Sequence, residues 1–416
     1  GDPLFVSDGS IRPGARPIFA APAGNHCHFP LWAPDGSFIY YVQGVLPDKL
    51  SIWRIAPAGG SPERITLQDG RVTYPVLWNA RTLMYLNCDP DGSGPWLYGV
   101  DVEHHVPHRL TFGPDRYTSL AATADGRRLA ATLASPTRTL WRMGVSESGS
   151  EAPPPGRISL TTGPGFSPRV GPNFLLYISA ASAGESIWKL SNGTVTELWT
   201  AQGALVLGGP AVSPDGREIT FSARHNGQSF LYAMHADGTG VQVITSSLKL
   251  RGSPAWAPDG KSITAGADDH GVTHLFHLPL HGRSPQVLVQ EYSIDPAWAP
   301  DGSFVVYTGP DIGTTFSVKA VTASGAAHNL PSLTLTRGAR HLALLPGGNS
   351  LVFLRGEIHH KNVWLLDLAT GIERQLTDVG PDFDIRDFDI SPDGREIVLE
   401  RAQEHSEIVL IDLPRG

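Results

Sequence analysis

Apolar and polar positions along this chain fall into one recurring order. A short apolar run leads into a polar turn, an alternating run of β-formers follows, and after a polar loop come two further short runs. AWAPDGSFVVYTG, Ala297 to Gly309, is a clear copy. In its turn, Pro300 presets φ, Asp301 bonds the backbone ahead of it, and Gly302 accepts a positive φ at no steric cost. Flanked by β-formers, that tripeptide predicts a hairpin. Other good copies run from Leu31 to Val42, Ala211 to Ala223, Ala255 to Ala267 and Asp389 to Arg401. Weaker copies turn at Ala124-Asp125-Gly126 and Pro346-Gly347-Gly348, and one replaces the tripeptide with Trp78-Asn79-Ala80-Arg81. The third run carries an aromatic, as in SIWRI (Ser51 to Ile55) and WLYGV (Trp96 to Val100). The fourth ends in Leu-Thr or Ile-Thr, as in HRLT (His108 to Thr111) and RQLT (Arg374 to Thr377).

Turn anchors near residues 34, 79, 124, 170, 214, 258, 300, 346 and 392 set a spacing of about 42 to 46 residues. Four short strands, here called a to d, at that period are the arithmetic of a β-propeller blade. The expected fold class is therefore all-β: a propeller of four-stranded antiparallel blades, nine repeat units counted, with eight blades as second choice. The whole chain, 1–416, reads as one domain, residues 1–30 forming an N-terminal segment and 31–416 the repeats. Unit nine stops before a strand d, and the strand candidate Pro17 to Ala21 is expected to supply it and close the ring, leaving no open edge.

Composition narrows the function. With 46 glycines and 35 prolines turns are frequent, and a net charge of −8 without any Lys/Arg run argues against nucleic-acid binding. No window reaches the roughly 18 apolar residues of a membrane span. The first residues lack the basic and apolar regions of a signal peptide, so the compartment, cytoplasmic or periplasmic, stays open. Cys27 and Cys88 form no metal spacing and read as free thiols.

With its Pro-Asp-Gly turns and Ile-Trp or Leu-Tyr strands, the chain resembles the TolB-like propellers built from PD40 (WD40-like) repeats. His26 to Gly36, Asp91 to Glu103, Thr118 to Trp141 and Asn362 to Thr377 carry a closer likeness, to the C-terminal propeller regions of bacterial serine/threonine protein kinases and winged-helix regulators. That resemblance implies a non-catalytic sensor or protein-interaction module attached to a signalling domain. Two alternatives come with it: a metal-dependent oligouronate lyase-like propeller and a periplasmic TolB-like scaffold. No kinase motif occurs in the chain, and no Gly-x-Ser-x-Gly elbow.

No catalytic residue and no cofactor are expected. His26 and His28 alternate on an extended segment and are the weak metal candidates, without an assignable third ligand. Asp89 to Gly94 resembles the start of a calcium loop but lacks its later acidic residue, which favours a plain turn. The acidic run Asp382, Asp384, Asp387 and Asp389 reads as a solvated loop with local pairing. In a propeller the connections entering each strand a converge at one channel mouth, away from the a-to-b turns. Residues there are His26, His28, Arg71, Tyr74, Arg116, Tyr117, Arg251, Asp295, Arg340, His341 and Arg386. The recurrent arginines predict a mouth that binds an anionic small molecule or an acidic peptide segment. The plainer alternative is that they pair with neighbouring aspartates and stack on blade edges.

Overall fold

The computed structural model describes residues 1–7, 14–45, 49–68, 70–89, 94–111, 116–123, 125–134, 137–145, 155–181, 184–225, 227–280, 284–403 and 405–412. Among them there is no helix, and every strand pairing between named strands is antiparallel. Strand b of most repeats is apolar and buried on both faces, as in Ile39–Val45 and Phe304–Ile312. Such a strand needs a neighbouring sheet on either side.

The turn chemistry is as its residues dictate. Gly302 has φ 74° and donates to Ala299 O at 2.8 Å, while Asp301 Oδ1 accepts from Ser303 N at 3.0 Å. In the degenerate second unit, Asn79 Oδ1 takes over by accepting from the amides of Arg81 and Thr82, each at 2.8 Å. The Leu-Thr endings have a cause too. The threonine hydroxyl accepts the strand c amide, Thr111 from Leu97 at 2.9 Å and Thr377 from Val363 at 2.8 Å. No atom lies within 4 Å of a Cβ built on Gly302, so Gly302→Val meets conformational strain alone. We expect it to cost about 1–2 kcal/mol, read as a lowered urea midpoint.

The chain divides into two compact units, residues Gly1–Pro136 with Glu404–Gly416, and Thr137–Gln403. The first holds a two-stranded sheet (Pro3–Val6, Arg16–Ala20) and two four-stranded sheets, His26–Trp32 to Glu63–Arg64 and Thr73–Leu77 to Pro107–Arg109. It also holds a three-stranded sheet of Arg116–Ala122, Arg128–Ala134 and Ser406–Asp412.

The second unit holds six sheets. Sheet A is Gly165–Val170, Leu175–Ala181, Gly184–Ser191 and Thr194–Thr200. Sheet B has a split first strand, Leu205–Val206 and Ala211–Val212, followed by Glu218–His225, Gln228–His235 and Gln242–Thr245. Sheet C runs from Lys249–Trp256 to Gln286–Val289, sheet D from Ile294–Trp298 to Ala327–Thr336, and sheet E from Leu342–Leu344 to Glu373–Gln375. Sheet F joins Asp384–Ile390 and Glu396–Gln403 to Thr137–Gly144 and Gly156–Arg157. Each sheet packs on the next in this order, and F packs on A.

Two expectations change here. Arg16–Ala20 pairs with Pro3–Val6, not with unit nine, because its apolar residues are used locally: Leu4 and Ile18 pack on Ile39, Tyr41 and Ile55. Units three and nine exchange their third strands: Glu396–Gln403 takes Thr137–Gly144 as its partner, and Ser406–Asp412 goes to Arg128–Ala134. Burial and local pairing accompany the choice, with Leu140 of Thr137–Gly144 completely buried against Leu175, Tyr177 and Val398. Arg142 lies 3.4 Å from Glu396 and Arg138 lies 3.6 Å from Glu400, whereas the rejected partner offers Glu396 and Glu400 only Glu407 and Asp412. The nine repeats thus stand as three sheets in one unit and six in the other.

Candidate functional site

In the six-sheet unit the innermost strands are interrupted by proline and by bulges. Register shifts fall between Phe166 and Arg169, Arg251 and Ala255, Ile294 and Ala297, and Ile385 and Asp387. Ser167 and Asp295 take left-handed φ values of 49° and 53° directly before Pro168 and Pro296, and Gly252 has φ 67°. Proline has no N–H to give to the ladder, and a bulge re-aims the neighbouring groups. Three amides at these breaks are taken up by carboxylates. Val170 N donates to Asp389 Oδ2 at 2.7 Å, Ser253 N to Asp295 Oδ1 at 3.2 Å, and Ser167 N to Glu400 Oε2 at 3.0 Å. Each of these bonds ties one sheet to its neighbour.

Arg169 is the buried cation of this region, its side chain only 7% exposed. It donates to Asp387 Oδ2 at 3.1 Å and to His341 Nδ1 at 3.2 Å. A Cβ on Gly209 would sit 2.2 Å from its guanidinium, so a side chain there would push the guanidinium from its place. Burial first, and the Arg169 charge second, push the His341 imidazole down to about 3. His341 is thus neutral at pH 7. Burial pushes the Asp389 carboxyl up to about 6 and also raises Asp295. These groups line a cavity of about 410 Å³, together with Trp256, Trp298, Pro210, Pro254 and Pro296. Pro214, Pro258 and Pro300 of the a-to-b turns line it as well, so the cavity reaches the turn end of the strands, the end opposite to the expected mouth.

The sequence candidates are distributed differently. Of the eleven residues expected at the mouth, Asp295 and His341 line this cavity. Arg251 lies 3.8 Å from Asp268, and Arg386 lies 2.7 Å from Asp384. Arg340 pairs with Asp311, donates to Gly309 O at 2.8 Å and stacks on Phe316 at 4.2 Å. His26, His28, Arg71, Tyr74, Arg116 and Tyr117 belong to the other unit. There Arg71 and Arg116 are exposed, and Phe29 stacks on Tyr74 at 4.8 Å. The His26 and His28 rings do lie side by side, 5.9 Å apart, with Asp2 bonded to His26 at 3.2 Å. Among the described residues no group of three or more His, Cys, Asp or Glu side chains is placed to hold a metal ion. The calcium-like stretch at 89–94 lies largely outside the described residues.

The acidic run at 382–389 is a correction. Residues Asp384–Ile390 form the innermost strand of sheet F, with Asp384 and Asp387 buried. The apolar residues Ile385, Phe388 and Ile390 carried the signal, and a bulge broke their alternation. Arg169 was missed, yet a pattern pointed to it. In Pro168-Arg169-Val170, Pro210-Ala211-Val212, Pro254-Ala255-Trp256 and Pro296-Ala297-Trp298, an arginine stands where the other copies have alanine.

Glu400 is 2% exposed, and burial pushes its carboxyl up to about 7. The folded state therefore holds its proton between the ordinary glutamate range and pH 7, where the unfolded chain has lost it. Stability from this group is full below the unfolded value and declines as pH rises toward 7. Glu400→Gln keeps an acceptor for Ser167 N. It is expected to be more stable than wild type at pH 8 by on the order of 2 kcal/mol and equal to it at pH 4.5, as urea titrations at both pH values would show.

Comparison with known proteins follows the same architecture. The family described as TolB beta propeller domain (PD40) matches residues 200–413. No curated protein matches the chain. Among solved structures, the putative TolB from Agrobacterium tumefaciens is 19% identical with a TM-score of 0.51, covering 64% of this chain and 99% of that one. TolB from Acinetobacter baumannii is 14% identical with a TM-score of 0.46, covering 81% of this chain and 80% of that one. An oligogalacturonate lyase from Vibrio parahaemolyticus is 11% identical with a TM-score of 0.42, covering 89% of this chain and 96% of that one.

Proposed function

We propose that this chain, which belongs to the TolB β-propeller (PD40) family, is a non-catalytic binding module whose ligand site is the axial cavity of its six-sheet unit. The cavity of about 410 Å³ among Arg169, Asp295, His341, Asp389, Trp256 and Trp298 carries this reading. A concave pocket with aromatic walls and a few fixed polar groups is the usual form of a ligand site. Its polar groups are engaged in positioning: Asp389 and Asp295 hold main-chain amides, and His341 accepts from Arg169. Such an arrangement suits recognition better than proton transfer, which needs a group free to exchange its proton. The attachment of the module to a kinase or winged-helix domain is supported by the sequence resemblance.

Ala297 lines the cavity, so Ala297→Phe fills it. Small molecules and peptides screened by tryptophan fluorescence are expected to bind wild type and to lose at least tenfold in affinity on Ala297→Phe. Arg71→Ala and Arg116→Ala, in the other unit, should leave binding unchanged. Ligands that bind Ala297→Phe as well as wild type would place the site elsewhere.

A further inference from the structure

The cavity has a definite charge preference, opposite to the one that the arginine-rich sequence suggested. Its cation, Arg169, is paired with Asp387. His341 is neutral, with its Nδ1 accepting from Arg169. Arg340, whose charge also acts on Asp295, is paired with Asp311. Asp295 and Asp389 remain, and a hydrogen bond from an amide holds a carboxylate without cancelling its charge.

The donors and acceptors are also unbalanced. Trp256 Nε1 donates to Ala211 O at 3.3 Å, and Trp298 Nε1 donates to Thr264 Oγ1 at 3.0 Å. The main-chain amides at the bulges are taken by Asp389 and Asp295 themselves. His341 Nε2 is uncharged and has no hydrogen-bond partner among the described residues, and Ser253, whose hydroxyl is also uncharged, lines the cavity as well. Asp295 by contrast gives one oxygen to Ser253 N, and it is held in a left-handed conformation before Pro296. Gly252 makes this arrangement available, since a Cβ there would stand 2.4 Å from Asp295 Oδ1. The same conformation before proline recurs at Phe29, Tyr74 and Ser167, so it belongs to the repeat, and at Asp295 it places a carboxylate on the cavity wall.

We propose that the axial cavity binds an organic cation, an alkylammonium group, with Asp295 as counter-ion and Trp256 and Trp298 as aromatic walls. The proposal rests on the reading of this cavity as the ligand site. An ammonium supplies charged hydrogen-bond donors to the carboxylates, and an indole ring attracts a cation and not an anion. An anion would meet two carboxylates, and the one guanidinium in the lining is already paired with Asp387.

The experiment uses the whole chain and three probes of one length: n-butylammonium, n-butanol and butyrate, titrated by calorimetry at pH 7.5 in low salt. The expected result is that butylammonium binds at least tenfold more tightly than butanol or butyrate. Asp295→Asn keeps an acceptor for Ser253 N and should reduce butylammonium affinity at least tenfold without lowering the urea midpoint. Butyrate binding more tightly than butylammonium, or equal affinities for all three, would overturn the charge assignment while the cavity remained a ligand site. If Ala297→Phe leaves butylammonium affinity unchanged, the underlying reading of the cavity falls instead. Full affinity in Asp295→Asn would remove Asp295 as the counter-ion.

Discussion

Replacing Arg169 with methionine is expected to destabilise the six-sheet unit by about 3–5 kcal/mol, because it leaves Asp387 buried without its counter-charge. Asp387 is 9% exposed as a residue, and besides the Arg169 guanidinium it accepts from the Phe388 amide at 2.8 Å. His341 would lose the donor on its Nδ1 in the same step. Adding Asp387→Asn should recover part of the loss, since the uncompensated charge is then gone, and a double-mutant cycle in urea isolates the pairing. Arg169→Lys is expected to fall between the two, because an ammonium cannot reach Asp387 and His341 with one planar fork. A loss below 1 kcal/mol in Arg169→Met would mean that the cluster is hydrated and that Arg169 does not hold sheets A, E and F together.

Leu140→Ala is expected to cost about 2–5 kcal/mol, the usual range for a large-to-small change in a packed core. Leu140 is completely buried and packs with Leu175, Tyr177 and Val398. Those contacts exist only if Thr137–Gly144 lies in the sheet of Glu396–Gln403, so the measurement tests the strand exchange itself. Ile408, on the strand that sequence order would have placed there, is 77% exposed, and Ile408→Ala should stay within about 0.5 kcal/mol. Reversed magnitudes for the two variants would show that the strands pair in sequence order after all. Amide exchange gives an independent reading, with the amides of 137–144 protected to the same depth as those of 396–403.

How much of this was legible in the chain differs by level. Turns and strands were, because each is decided by neighbours in sequence. Pro300-Asp301-Gly302 closes its turn through Ala299, four residues in all, and Thr82–Asn87 and Trp96–Asp101 stand where the apolar runs predicted them. The candidate site was only partly legible. His341 and Asp295 were marked by their position just before a strand, whereas Arg169 lay inside a strand, where a charged residue reads as an exposed face, and Asp389 stood in an acidic run that reads as a solvated loop. Arg251, Arg340 and Arg386 shared the position that suggested a ligand, but Asp268, Asp311 and Asp384 stand beside them in space, and no periodicity announces that.

By itself, then, the sequence determined the all-β class, the repeat and its hairpin turns, and through them the TolB-like propeller family. Only the tertiary structure decided which third strand joins which sheet, how the repeats divide into three and six, and which charges share the axial cavity. The reason is the range of the interactions. A turn is selected by backbone freedom over four residues. The pairing of Thr137–Gly144 with Glu396–Gln403, and of Arg169 with Asp387, is selected by burial and charge between segments more than two hundred residues apart, and in a chain of repeats with one strand pattern every copy offers a similar strand to compete for each place.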